Sequence, residues 1–304
     1  MKDTAFFKQA ELLLEVLPIV AKHEVFALKG GTAINFFIRD LPRLSVDIDL
    51  TYIPIVDRQE TLTDITHHLR QIKQDLEKRI VTSVVAKSFG DTGYWKGLVV
   101  TRAHATIKIE PNLIIRGSVF PPELFPLTPK VEETFECALD MLCLSQADLY
   151  GGKICAALDR QHPRDLFDIR LLLRNEGLTK DVRKAFIVYL ISHGRPMVEL
   201  LNPGRQDLQS LYCQEFSGMA WEPVPLKELL ATREELVDLI KNQLTPDERR
   251  FLLSVKQGEP DWDLLNINGI ADLPAVQWKL INIRKMSPKD HQKAVSKLKT
   301  YLEL

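Results

Sequence analysis

Apolar residues near the start of the chain recur at helical spacing, Phe6, Ala10, Leu13, Leu14, Leu17 and Val20, which predicts a helix with one apolar face. Residues 24–28 then shorten into a strand-like run ending at Lys29-Gly30-Gly31, and Thr32 is placed to cap a short helix through Phe36-Phe37. After a turn at Pro42, residues 44–53 alternate polar and apolar with period two, the pattern of a half-buried strand. Residues 57–78 carry Leu62, Ile65, Leu69, Ile72 and Leu76 three or four apart and predict an amphipathic helix. Residues 80–89, 97–100 and 106–109 are rich in β-branched side chains and separated by Gly-containing turns, so three further strands are expected, partly antiparallel. Residues 116–129 hold four of the seventeen prolines and predict a loop or hinge.

Beyond residue 145 the pattern is helical, at about 145–160, 164–175, 179–193, 226–242, 245–256 and 288–302. The expected architecture is therefore α+β, with a first domain over 1–135 and a mostly helical domain over 136–304. No internal repeat or low-complexity segment is present.

Composition narrows the function classes. The 304 residues are 45% hydrophobic and 27% charged, which excludes wholesale disorder. Lys and Arg total 40 against 41 Asp and Glu, so a blanket cationic surface is absent and nucleic acid would need a local basic groove. The longest stretch without a formal charge, 185–194, is about half the roughly 20 residues of a membrane-spanning helix, so no membrane span is expected. The N-terminal residues Met1 to Lys8 alternate charge with apolar side chains instead of forming a secretory h-region, and read as an ordinary helix start. Cys137, Cys143, Cys155 and Cys213 match neither a C-x-x-C pair nor a disulfide scaffold, so reduced cysteines in a cytoplasmic protein are expected.

The densest chemical signal is Arg43-Leu44-Ser45-Val46-Asp47-Ile48-Asp49-Leu50. On a strand Asp47 and Asp49 project from one face with Ser45, while Val46, Ile48 and Leu50 face the core. Two adjacent carboxylates repel unless a cation lies between them, and hard oxygen donors of this kind suit Mg²⁺. A solvent-facing strand with two ordinary acids is the alternative. Upstream, Gly30-Gly31-Thr32 forms a turn between strand and helix, where glycine amides and the Thr32 hydroxyl can bind a phosphate. A triphosphate-metal site follows from the two together. Glu110 is the candidate third acid, on one strand face with Lys108.

A second cluster runs from Asp148 to Asp168. Pro163 suits the first turn of a helix on which Asp165 and Asp168 share a face, and Lys153 ends on the preceding helix. Read structurally, this is a helical hairpin tied by ion pairs such as Arg164 with Asp168. Read functionally, Lys153 binds the triphosphate or answers the charge on leaving diphosphate, and Asp165 orients it. Cys155, His162 and Asp165 make a poor thiol-nucleophile site. His67 and His68 are expected on the solvated side of their amphipathic helix, and His23, His104, His193 and His291 show no zinc spacing. Trp221, Trp262 and Trp278 are expected as core anchors of the C-terminal half.

In combination and order, Gly30-Gly31-Thr32-Ala33, Arg43-x-Ser45-x-Asp47-Ile48-Asp49, Lys108-Ile109-Glu110, and Lys153 with Ala157, Arg160 and Arg164-Asp165-x-x-Asp168 resemble the AbiEii/AbiGii nucleotidyltransferase toxins of bacterial toxin-antitoxin and abortive-infection systems. The resemblance covers residues 29 to about 174. It implies a polymerase-β-like nucleotidyltransferase core in which Asp47 and Asp49 hold Mg²⁺, with Glu110 in a third-acid position that varies. Gly30, Gly31, Thr32 and Ser45 would contact the NTP. Lys153 and Asp165 match the family's essential lysine and aspartate, in a helical domain that would complete the active site.

The function this implies is Mg²⁺-dependent transfer of a nucleotide from an NTP to an acceptor, with the 3′ end of tRNA preferred and phage defence as the setting. RNA would call for a basic rim, and Arg39, Arg43, Lys108, Arg116, Lys153, Arg160 and Arg164 are its candidates. A protein or small-molecule hydroxyl is the alternative acceptor, and a non-catalytic nucleotide-binding interaction protein is the alternative class. The resemblance also implies a cognate antitoxin, usually encoded beside the toxin.

Overall fold

The computed structural model describes residues 4–80 and 82–304. Met1 to Asp3 of the expected helix start, and residue 81 of the strand expected at 80–89, lie outside the described residues. The chain separates into two compact units, Met1–Leu149 with Phe216–Pro223, and Tyr150–Glu215 with Val224–Leu304.

The first unit is built on a seven-stranded mixed sheet. Its strands are β1 (Phe26–Lys29), β2 (Asp47–Tyr52), β3 (Ser83–Ser88), β4 (Trp95–Arg102), β5 (Ala105–Asn112), β6 (Glu123–Pro126) and β7 (Asp140–Cys143), in the spatial order β3-β4-β5-β2-β1-β7-β6. The pairs β2 with β5 and β1 with β7 are parallel, and the other four are antiparallel. Two strands were not anticipated. β6 lies inside the stretch expected as a hinge, and β7 has only four residues, too short for alternation to register.

Helix α1 (Ala5–Val20) opens at Thr4, whose hydroxyl accepts from the Phe7 amide, and buries Leu13, Val16 and Leu17. The long helix α3 (Arg58–Arg79) is capped by Asp57 and buries the predicted stripe Leu62, Ile65, Leu69, Ile72 and Leu76. Both pack on the sheet, α1 against β5 and α3 against β4. They meet the face that carries Ile48, Leu50, Leu98, Val100, Ile107 and Ile109, all fully buried. Each such side chain contributes about 1.5–3 kcal/mol. Between β1 and β2 lie α2 (Gly30–Ala33) and a π-helical turn, Ile34–Ile38; α4 (Pro129–Phe135) precedes β7.

The division between units falls within α5 (Gln146–Asp159). The second unit continues with α6 (Pro163–Asn175), α7 (Lys180–Ser192), α8 (Met197–Leu201), α9 (Gln209–Glu215), α10 (Leu226–Gln243), α11 (Pro246–Gln257), α12 (Pro274–Arg284) and α13 (Pro288–Leu302). Local chemistry sets several ends: Thr179 caps α7, Thr245 and Glu248 form a reciprocal capping box on α11, and Gly258 closes α11 in the left-handed conformation. Helix α12 escaped the sequence pattern because its apolar residues lie all round it. Ala275, Val276, Leu280 and Ile283 are buried, whereas Ile281 and Trp278 are exposed, the latter at 57%. Trp278 is therefore no core anchor. Trp262 packs on Phe251 in the second unit, and Trp221, in the first, lies under the Lys130 ammonium.

Candidate active site

The site in the first unit starts at the end of β1. Gly30 has φ +72°, a conformation costly for other residues, and it turns the chain from β1 directly into α2. A Cβ on Gly30 would stand 2.6 Å from Asp49 Oδ2, and one on Gly31 would stand 2.7 Å from Arg43 Nη2 and 3.1 Å from Ser45 Oγ. Both glycines thus exist to let Asp49, Arg43 and Ser45 close onto the backbone of the turn. The cap of α2 is Lys29 instead of Thr32, because the helix already begins at Gly30. Thr32 points inward at 1% exposure, donates to the Asp47 carbonyl at 2.6 Å, and so accepts from Ser45, whose Oγ lies 2.9 Å away. The hydroxyl pair ties α2 to the first residue of β2.

Arg43 is 2% exposed and donates to the Leu44 carbonyl. The segment Phe216–Pro223 holds it from the other side: Arg43 bridges Ala220, the Leu44 amide donates to Met219, and the Trp221 amide donates to Pro42. Sequence pattern gave no hint of this pairing, since the two stretches are more than 170 residues apart.

On β2, Asp47 and Asp49 are half-buried and alternate with buried Ile48 and Leu50. Parallel pairing with β5 sets Asp47 opposite Lys108 and Asp49 opposite Glu110, so all four residues share the sheet face away from α1 and α3. Glu110 is engaged by Lys87 of β3, whose Nζ is 2.7 Å from Oε1. Lys87 was missed in the sequence, and only the register β3-β4-β5 places it there. Among the described residues no three His, Cys, Asp or Glu side chains converge as a metal-ligating group. The pair Asp47 and Asp49 nevertheless suits a hard divalent cation. Two carboxylates at the roughly 7 Å Cα spacing of alternate strand residues repel by on the order of 2 kcal/mol at an effective dielectric near 20. One or two carboxylates are also the usual protein share of a Mg²⁺ site completed by phosphates and water.

The second unit holds a separate charged cluster. Lys153 Nζ lies 2.9 Å from Asp165 Oδ1 and 3.0 Å from Asp168 Oδ2, and all three residues are buried. Arg160 completes it, with Nε 2.6 Å from Asp165 Oδ2 and Nη2 3.0 Å from Oδ1. Burial by itself would raise the Asp165 pKa, but the Lys153 charge and the Arg160 hydrogen bonds outweigh it and hold the carboxyl well below the usual range. Asp168 meets Lys153, and Arg164 lies 3.4 Å from Glu215. The His162 ring caps α6 by accepting from the Arg164 amide. Gly151 lets α5 approach α7, since a Cβ there would be 2.7 Å from the Phe186 amide nitrogen. Burial pushes the Cys155 thiol up, which makes it an inert core cysteine. Of the expected basic rim, Arg43, Arg116 and Lys153 are buried.

The first unit thus presents an Asp-x-Asp strand beside a Gly-Gly turn on a mixed sheet, with α1 and α3 on the opposite face. The structure is similar to that of the MenT4 nucleotidyltransferase toxin of Mycobacterium tuberculosis, with a TM-score of 0.61 at 14% identity, over 97% of this chain and 93% of that one. The family model of the AbiEii nucleotidyl transferase toxin, type IV toxin-antitoxin system, matches residues 11–282. The chain belongs to that family and is a nucleotidyltransferase toxin of the AbiEii type. No curated protein matches it by sequence. The family implies a cognate antitoxin. Among the described residues no helix is long and apolar enough to cross a membrane.

Proposed function

We propose that the chain transfers a nucleotide from an NTP to an RNA hydroxyl, the 3′ end of tRNA, in the cytoplasm of a bacterium under phage attack. The observation that carries this reading is the Asp47 and Asp49 pair, aligned on one sheet face and seated against the Gly30-Gly31 turn. The acceptor oxygen forms a bond to the α-phosphorus, the bond to the β-phosphate bridge breaks, diphosphate leaves, and the hydroxyl proton passes to solvent. Mg²⁺, held by Asp47 and Asp49, would lower the pKa of the acceptor hydroxyl and offset triphosphate charge. Glu110 is the third-acid candidate, with Lys87 on its Oε1.

The amides of the Gly30-Gly31 turn are proposed to meet the phosphates, and Thr32 and Ser45 to keep that turn and Asp47 in register. Lys153 is proposed as the cation that answers charge on the triphosphate or leaving diphosphate, with Asp165 orienting its ammonium. The test is incubation of the purified chain with each α-labelled NTP, Mg²⁺ and total cellular RNA, beside Asp47→Ala. Label in a tRNA-sized band that is lost in the variant is the expected result. Label in protein alone would move the acceptor to a side chain, and no transfer with any NTP would favour a small-molecule acceptor or a binding role.

A further inference from the structure

The chain carries a formal charge of −1, yet its basic residues are unevenly spread. Between residues 284 and 302 stand Arg284, Lys285, Lys289, Lys293, Lys297 and Lys299 against one acid, Asp290. Lys289, Lys293 and Lys297 occupy successive i, i+4 positions of α13, so they line one side of the helix, each exposed. The axial step between them is about 6 Å, four residues at ~1.5 Å each. That step is comparable to the separation of successive phosphates along a nucleic-acid strand.

A cleft of about 180 Å³ adjoins the ridge, and Lys256 of α11 lines it together with Lys293 and Lys297. Two acids also line it. Glu199 pairs with Arg195, and Asp290 accepts from the Ser287 hydroxyl that caps α13. The Lys256 ammonium has the Met286 thioether at 3.4 Å, and among the described residues neither it nor the three ridge lysines meets a carboxylate. Burial lowers the Lys256 pKa, and an anion seated beside its ammonium would oppose that shift. The cleft is smaller than the roughly 300–1,000 Å³ of pockets that enclose a whole small molecule, and suits one group of a larger polyanion.

We infer that Lys289, Lys293 and Lys297, with Lys256 in the adjoining cleft, form a docking ridge for an RNA backbone, which rests on the reading of RNA as the acceptor. The ridge supplies affinity without reading sequence, because lysines meet phosphates as point charges and each contact releases counterions. It also adds to the basic rim that sequence suggested, of which Arg43, Arg116 and Lys153 are buried.

The experiment measures binding of total tRNA to the full chain across about 50 to 200 mM salt for three proteins. These are the wild type, Lys289→Gln/Lys293→Gln/Lys297→Gln, and a control with the same charge change at exposed lysines elsewhere, Lys22→Gln/Lys180→Gln/Lys227→Gln. The ridge variant is expected to bind at least tenfold more weakly at low salt, with the slope of log affinity against log salt reduced by roughly 2 to 3, whereas the control stays near the wild type. Equal slopes for wild type and ridge variant, or an equal loss in the control, would overturn the ridge. If poly-glutamate displaced tRNA as well as RNA itself does, the surface would be one for acidic proteins and the RNA assignment would fall. Nucleotide transfer is scored separately. Wild-type transfer to RNA with an unchanged ridge variant refutes the ridge alone. Absence of RNA labelling in the wild type refutes the acceptor reading, and the salt slopes still decide the ridge.

Discussion

Around Asp47 and Asp49 the negative charge lies on a half-buried strand face beside exposed Lys108, whereas around Lys153 two carboxylates and two cations neutralise one another inside the helical unit. Both clusters hold two aspartates. The first pair is half-buried on its strand, whereas in the second each carboxylate has the buried Lys153 ammonium within 3.0 Å. Removing an acid should therefore affect chemistry in the first cluster and folding in the second.

The largest expected effect tests the first half of that contrast. Asp47→Asn should lower nucleotide transfer by roughly a thousandfold or more while the thermal midpoint stays within a few degrees of the wild type. A variant that unfolded instead would make Asp47 a structural residue. Lys153→Met comes next: it strands Asp165 and Asp168 without their shared cation and should cost about 3–5 kcal/mol in urea unfolding. If Lys153→Met keeps its stability and loses transfer, the lysine serves the reaction alone and the internal-neutralisation account is wrong.

Gly30→Ala should cost about 1–2 kcal/mol from its left-handed backbone, with a further loss of transfer because the new Cβ displaces the Asp49 carboxylate. Transfer falling more than stability would place the effect at Asp49.

Acid sensitivity gives a smaller signal. His23 and His68 lie with Nδ1 atoms 2.8 Å apart, and burial, together with their mutual repulsion in the case of His23, lowers both below the ordinary 6.5. Asp75 opposes the shift at His23, as Asp64 does at His68. The unfolded chain then binds more protons below about pH 6.5, so stability is full above that value and falls as the pH drops through the folded values. His23→Asn should flatten the loss between neutral and mildly acid pH in urea titrations, and His162 and His193 will leave a remainder of the same sign. Smallest of all, Lys87→Gln should change stability by less than about 1 kcal/mol, because the ion pair with Glu110 is partly exposed.

Much of the first unit was legible because its elements repeat a clean period. The stripe of α3 and the alternation of β2 follow directly from side chains that must leave water, and the Asp-x-Asp and Gly-Gly motifs lie within single short segments. β6, β7 and α12 were not legible: the first two are four residues long, and the third is apolar on several sides. Thr32 was assigned to a cap on local grounds, and the positive φ of Gly30 moved the cap three residues earlier, to Lys29.

Residue type and near spacing alone show which side chains are chemically able to act and which family they match. Which charges are buried and which neighbours they meet follows from folding instead. Lys87 reaches Glu110 through strand register, Asp168 of α6 meets Lys153 of α5, Arg43 is sealed under Phe216–Pro223, and the lysines of α13 remain in solvent. Charge is fixed by covalent structure, but its cost and its reach depend on burial and on neighbours brought together by folding.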